Sequence, residues 1–275
     1  MRRLGCLLVF VVLAVLPTVP AHADPPPYPT QIGEPTGAND WSCRPTAARP
    51  TPVVIVHGTF GDRCSLLDPL SAAMVGEGFC VYSLDYGNRG LNDIPTSAGE
   101  LKAFTERVLR STGASKVSMV GHSQGGMMPR YYIRFLGGAD VVDDLVGLSP
   151  SNHGTTVAGD GGSTSSGCPA CSQQAAGSPF LTELNAGDET PGRLSYTQIT
   201  TRYDEVVTPY LSAYLAPGRR TTNITLQDLC PADLSEHVVI PTDPVAIQLV
   251  LNALARKGPA DPAFRPTCAT YGAAR

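Results

Sequence analysis

Short, uninterrupted apolar runs alternate along this chain with amphipathic stretches of helical period. Thr51 to Val56 (T-P-V-V-I-V) is a continuous apolar run, the pattern of a strand buried on both faces of a parallel sheet. A helix-like segment follows near Leu66 to Glu77, then a second strand, Cys80 to Leu84. From Gly99 to Thr112, residues Leu101, Phe104, Val108 and Leu109 fall on one helical face. Lys116 to Val120 is the next apolar run. Gly125 to Leu136 then carries Met128, Tyr131, Tyr132 and Phe135 at roughly helical spacing. Val141 to Leu148, Ser195 to Thr200 and Thr222 to Leu226 are strand-like. Pro244 to Ala255 reads as a final helix, with proline at its start and Gly258 just beyond its end. Strands alternating with helices predict an α/β domain, a mostly parallel sheet with helices on both faces. No internal repeat breaks the series, so residues 24–275 read as a single domain.

Three segments fall outside the alternation. Arg2 and Arg3 precede an apolar run from Leu4 to Leu16, and Ala21-His22-Ala23 offers a small-x-small cleavage site. This is the pattern of a secretory signal peptide over residues 1–23. The run is too short for a membrane span of about 20 residues, so a secreted, extracellular protein without a transmembrane segment is expected. Residues 24 to 50 are rich in proline and turn formers and read as an extended lead-in. Ser149 to Pro179 is too long and polar for an ordinary connection, and fits either a surface loop or a wall or lid over a site.

Net charge is −4. Without Arg2 and Arg3 there remain 18 basic against 24 acidic residues, or −6. No basic run or basic–aromatic stripe occurs, which argues against nucleic acid as a partner. Cys6 lies in the leader, leaving Cys43, Cys64, Cys80, Cys168, Cys171, Cys230 and Cys268, and an odd count implies a free thiol or an intermolecular bridge. Cys168-Pro-Ala-Cys171 could be a redox or zinc pair. With no second ligand pair, a local disulfide is the better reading. No dedicated calcium loop is present, and no metal is expected. The Asn223-Ile224-Thr225 sequon lies in a predicted strand, and monomer is the default state.

The chemistry is carried by Gly121-His122-Ser123-Gln124-Gly125-Gly126, a G-x-S-x-G elbow between a predicted strand and a predicted helix. Such a turn strains the serine backbone, and small residues at Gly121 and Gly125 let strand and helix approach. Ser123 is the candidate nucleophile. It needs a base, an orienting acid and an oxyanion hole, in the chain order Ser, Asp or Glu, His. His237, in Ser235-Glu236-His237-Val238 before the last helix, is the candidate base. Asp204, after the strand Ser195 to Thr200, is the candidate acid, with Glu205 its rival. His57 is expected to order the oxyanion loop, His122 to face away from the serine, and His153 to be structural or pocket-lining. Asp228, Asp233 and Asp243 read as turn or cap residues. The loop His57-Gly58-Thr59-Phe60-Gly61 predicts oxyanion donors at the N–H groups of Thr59 and Gln124, with Phe60 as alternative to Thr59.

In order and spacing, V-I-V-H-G-T-F, G-H-S-Q-G-G, T-R-Y-D-E-V-V-T-P and S-E-H-V-V resemble the secreted class 2 lipases of actinobacteria. More remotely they resemble the fungal lipase B type. The likeness spans about residues 40 to 270. It implies an α/β-hydrolase fold, hydrolysis of lipid esters such as acylglycerols, and no cofactor. It also implies cystine pairs Cys43–Cys80 and Cys230–Cys268, which leaves Cys64 as the candidate free thiol. The expected partner is a lipid or other ester substrate, at a lipid–water interface. A polyester hydrolase or an acyltransferase would use the same triad. A binding protein on a dead hydrolase scaffold would have no need of all three residues.

Overall fold

In a computed structural model, residues 33–157 and 167–268 are described. The signal-peptide expectation for residues 1–23, the start of the lead-in and the centre of the Ser149–Pro179 segment lie outside the described residues. The elements run β1 (Val53–Val56), α1 (Asp68–Gly76), β2 (Val81–Leu84), α2 (Ile94–Thr112), β3 (Val117–His122) and α3 (Gln124–Phe135). They continue through β4 (Val142–Leu148), α4 (Pro169–Gln173), α5 (Pro179–Leu184), β5 (Ser195–Thr200), β6 (Thr221–Thr225) and α6 (Pro244–Leu254).

The strands form one sheet in the order β2-β1-β3-β4-β5-β6, and every adjacent pair is parallel. This is the α/β-hydrolase architecture. Every residue of β1 is buried, and its side chains alternate between two cores. Val54 and Val56 pack with Leu101, Val108, Met128 and Tyr132 of α2 and α3. Val53 and Ile55 pack with Leu70, Met74, Leu249 and Val250 of α1 and α6. With both faces covered, an unbroken apolar run is the stable strand composition.

Helix α2 starts at Ile94, five residues before the periodic stretch at Gly99. Asp93 caps it by accepting from the Thr96 N–H, and a proline stands in the first turn, where its missing N–H costs nothing. The lead-in is tied to the sheet edge by the Cys43–Cys80 disulfide and by Trp41, which packs on Tyr82 and Phe104 under the Arg107 guanidinium. Cys230–Cys268 joins the segment after β6 to the last described residues. Cys64 is buried and lies outside the three disulfides. No helix among the described residues is long and apolar enough to cross a membrane.

The chain enters the sheet at β1, builds β2 on one side, then crosses to β3 on the other. The switch point therefore lies between the carboxyl ends of β1 and β3, where open α/β sheets bind ligands. Both candidate catalytic loops of the first half, residues 57–61 and 121–126, leave the sheet at this place.

Candidate active site

Ser123 sits between β3 and α3 with φ 55° and ψ −124°, a left-handed backbone that costs a non-glycine residue roughly 1–3 kcal/mol. The packing around the elbow holds it there. A Cβ on Gly121 would lie 1.8 Å from the Gly125 carbonyl oxygen, and one on Gly125 would lie 2.3 Å from the carbonyl oxygens of His57 and Val56. Strand, helix and the β1 loop therefore meet backbone to backbone, which only glycine permits. Ser123 is left at the rim of a cavity.

His237 and Asp204 form a buried pair, with Nδ1 donating to Oδ2 at 2.9 Å and both side chains fully inaccessible. Burial pushes the Asp204 carboxyl up. The hydrogen bond and charge of His237, with the Val207 N–H, outweigh it and hold the carboxyl below its ordinary value. Asp204 Oδ1 also accepts from the Val206 and Val207 N–H groups. With Nδ1 carrying the proton, Nε2 of His237 is the basic nitrogen. It has no hydrogen-bond partner among the described residues. Glu205 is exposed and outside the pair.

His122 turns to the loop that carries His237. Its Nε2–H donates to the His237 carbonyl at 2.8 Å, and the two rings lie 4.9 Å apart. Burial, then the charge of His237, drives the His122 ring down to about 3, so it stays neutral. His57 lies under the oxyanion loop. Its Nδ1–H donates to the Gly58 carbonyl at 2.8 Å, its ring stacks on Tyr86, and burial lowers it to about 4. His153 is half-buried. Its ring bonds the Ser212 carbonyl and the Glu189 carboxylate, fastening the chain after β4 to the loops before and after β5. Asp243 caps α6, Asp233 accepts from the Ser235 N–H and Asp228 pairs with Arg202.

The oxyanion alternatives separate on backbone bonding. Phe60 N–H is committed to the Arg89 carbonyl at 2.7 Å, and the Arg89 guanidinium returns a bond to the Phe60 carbonyl. The N–H groups of Thr59 and Gln124 meet no acceptor among the described residues. Their side chains are joined, Thr59 Oγ1 donating to Gln124 Oε1 at 2.6 Å. Gln174 Nε2 donates to both, at 2.9 and 3.1 Å, and Ser151 Oγ donates to Gln174 Oε1 at 2.8 Å. Nothing in the residue pattern singles out Gln174 or Ser151. Their one sequence signal is their place in the over-long Ser149–Pro179 segment.

A cavity of about 270 Å³ opens on Ser123. Its lining includes the polar Thr59, Ser151 and Gln174 and the apolar Val206, Val207 and Val238. Cys171, bonded to Cys168, also lines it. The Ser149–Pro179 segment thus contributes walls, and its C-P-A-C stretch is wound into α4. Among the described residues no cluster of three or more metal-ligating side chains occurs.

Residues 50–250 match the family profile of class 2 lipases. The chain belongs to the class 2 lipases. It is 37% identical over 91 residues to triacylglycerol lipases of Pseudarthrobacter phenanthrenivorans and Burkholderia plantarii, each match covering 31% of this chain. These matches span only 28% and 25% of the two relatives. Among solved structures it resembles Aspergillus fumigatus lipase B, with a TM-score of 0.66 and 25% identity, over 77% of this chain and 54% of that one. A Bacillus licheniformis lipase in its propeptide form shares the fold, with a TM-score of 0.62 at 15% identity, over 81% of this chain and 54% of that one.

Proposed function

We propose that this class 2 lipase is a secreted serine hydrolase of lipid carboxylic esters. The observation that carries the reading is the buried Asp204–His237 pair beside an apolar cavity that opens on Ser123. Ser123 Oγ attacks the ester carbonyl, and His237 Nε2 takes its proton. The oxyanion gathers toward the N–H groups of Thr59 and Gln124, each donor contributing roughly 3 kcal/mol. His237 then protonates the departing alcohol and leaves an acyl-Ser123 ester. Water, deprotonated by His237, releases the fatty acid. Asp204 keeps Nδ1 protonated and stabilises the imidazolium.

The cavity suits a lipid acyl chain. It is mainly apolar, and Val157 and Val206 of its lining are exposed at the mouth. Its volume lies at the low end for ligand sites, which favours medium chains. Each added methylene buried contributes about 0.8 kcal/mol, so kcat/KM should rise roughly fourfold per carbon until the cavity fills. Initial rates on p-nitrophenyl esters of increasing length test this, with Ser123→Ala as the control. Undiminished hydrolysis by Ser123→Ala would sink the proposal. A fall in rate beyond the shortest acyl groups would assign a simple esterase.

A further inference from the structure

The two cysteines of the Cys168–Cys171 disulfide pack against the same core but differ in burial. Cys168 is buried in the apolar core. Cys171 is only partly buried and lines the cavity that opens on Ser123. The Cys171 N–H donates to Cys168 Sγ at 3.1 Å, a bond that strengthens as that sulfur gains negative charge. The same short helix, α4, leads directly into Gln174, whose Nε2 also donates to the Ala170 carbonyl while it bridges the Thr59 and Gln124 side chains. Helix α4 is anchored outward as well, Gln173 bonding the Ile94 N–H and Asp93.

Thiol–disulfide exchange depends on which sulfur can be reached and which thiolate leaves better. Access here runs through the substrate cavity to Cys171. The leaving sulfur is Cys168, with a hydrogen-bond donor already aimed at it. We infer that Cys171 is a thiol-exchange site inside the acyl cavity, at which small thiols enter, form a mixed disulfide and block ester hydrolysis. The inference rests on the reading of that cavity as the acyl site of Ser123.

The step balances. A small thiolate attacks Cys171 Sγ, a new sulfur–sulfur bond forms there, and the Cys168–Cys171 bond breaks with its electron pair on Cys168 Sγ. A second thiolate attacking the adduct's outer sulfur frees Cys171 and departs as the small-molecule disulfide. The two thiols supply the two electrons that leave Cys168 and Cys171 as a dithiol. While the adduct persists, it occupies the acyl cavity. An acyl chain already there excludes the thiol, so acylation and exchange compete for one space.

The test uses the full chain with reduced glutathione, quenched by alkylation and followed by peptide mass mapping. The expected result is glutathione on Cys171 and alkyl on Cys168, with hydrolysis of an octanoate ester lost in step. Prior labelling of Ser123 with a medium-chain phosphonate should slow adduct formation at least tenfold. Cys64→Ser should leave the thiol response intact. Adducts appearing first at Cys168, or at the Cys43–Cys80 or Cys230–Cys268 bridges, would overturn the inference. So would equal adduct rates with and without the phosphonate. Failure of the phosphonate to label Ser123 would instead strike the reading of the nucleophile, while the mapped adduct position still decides for or against Cys171.

Discussion

His122 offers one N–H and no charge, because burial keeps its ring neutral down to about 3. That neutrality matters beside the proposed base, His237, which would accept a proton from Ser123. A second positive ring at 4.9 Å would oppose the imidazolium by about 3 kcal/mol at an effective dielectric of 20. The N–H holds the His237 carbonyl and so joins the nucleophile elbow to the base loop. His122→Phe keeps an aromatic ring and removes the donor. It should lower kcat by roughly 10- to 100-fold, a loss of about 1.4–2.7 kcal/mol, with KM within about twofold. His122→Gln restores an N–H and should recover most of kcat. Equal kcat for His122→Phe and the unaltered protein would show that this bond positions nothing. The residue type alone does not reveal this role, since the elbow pattern leaves its first variable position open and the partner is a backbone carbonyl 115 residues away.

The elbow between β3 and α3 depends on backbone contacts that no side chain can relieve. Gly125→Ala places a methyl 2.3 Å from two carbonyl oxygens, and should cost about 3 kcal/mol or more, read as a fall in Tm with loss of activity. Gly99→Ala in α2 is the matched control. A Cβ there meets nothing within 4 Å, so the change should stabilise by roughly 0.5–1 kcal/mol. Equal Tm values for the two variants would refute the packing account. Elements of this kind were legible in the sequence wherever period and burial agree. β1 reads as a strand because sheet burial on both faces admits few polar positions, and α6 because Pro244 and Gly258 bracket it. The start of α2 was not, because Ile94-Pro95-Thr96-Ser97 shows no apolar period and its cap, Asp93, is one aspartate among several. α4 was hidden for the opposite reason. A five-residue helix in a Gly/Ser-rich stretch has no face to display, and what holds it is a disulfide and side-chain bonds to distant residues.

Across the whole molecule the two ends of the sheet are built differently. The carboxyl ends of β1, β3 and β5 lead into the loops that carry Thr59, Ser123 and Asp204, and the parallel strands set those loops at one end of the sheet. The opposite end holds Asp144 of β4, buried and bonded to Ser118 Oγ. Burial, aided by the charge of Asp143, raises its carboxyl to about 7. A carboxyl raised on folding favours the folded state fully below its unfolded value near 4, and that contribution is lost as pH climbs toward 7. Asp144→Asn removes the titration. It should gain stability over the unaltered protein at pH 8, by at most about 4 kcal/mol, with little gain at pH 4. Parallel Tm profiles for the two proteins across that range would refute the assignment. The loops at the carboxyl ends give Ser123 its proposed role as nucleophile. The most direct measurement of that role is intact-mass and peptide mapping after reaction with a fluorophosphonate ester. One adduct per chain is expected, on Ser123, absent in Ser123→Ala and formed at least a hundredfold more slowly in His237→Ala. An adduct on another residue, or labelling indifferent to His237, would contradict it.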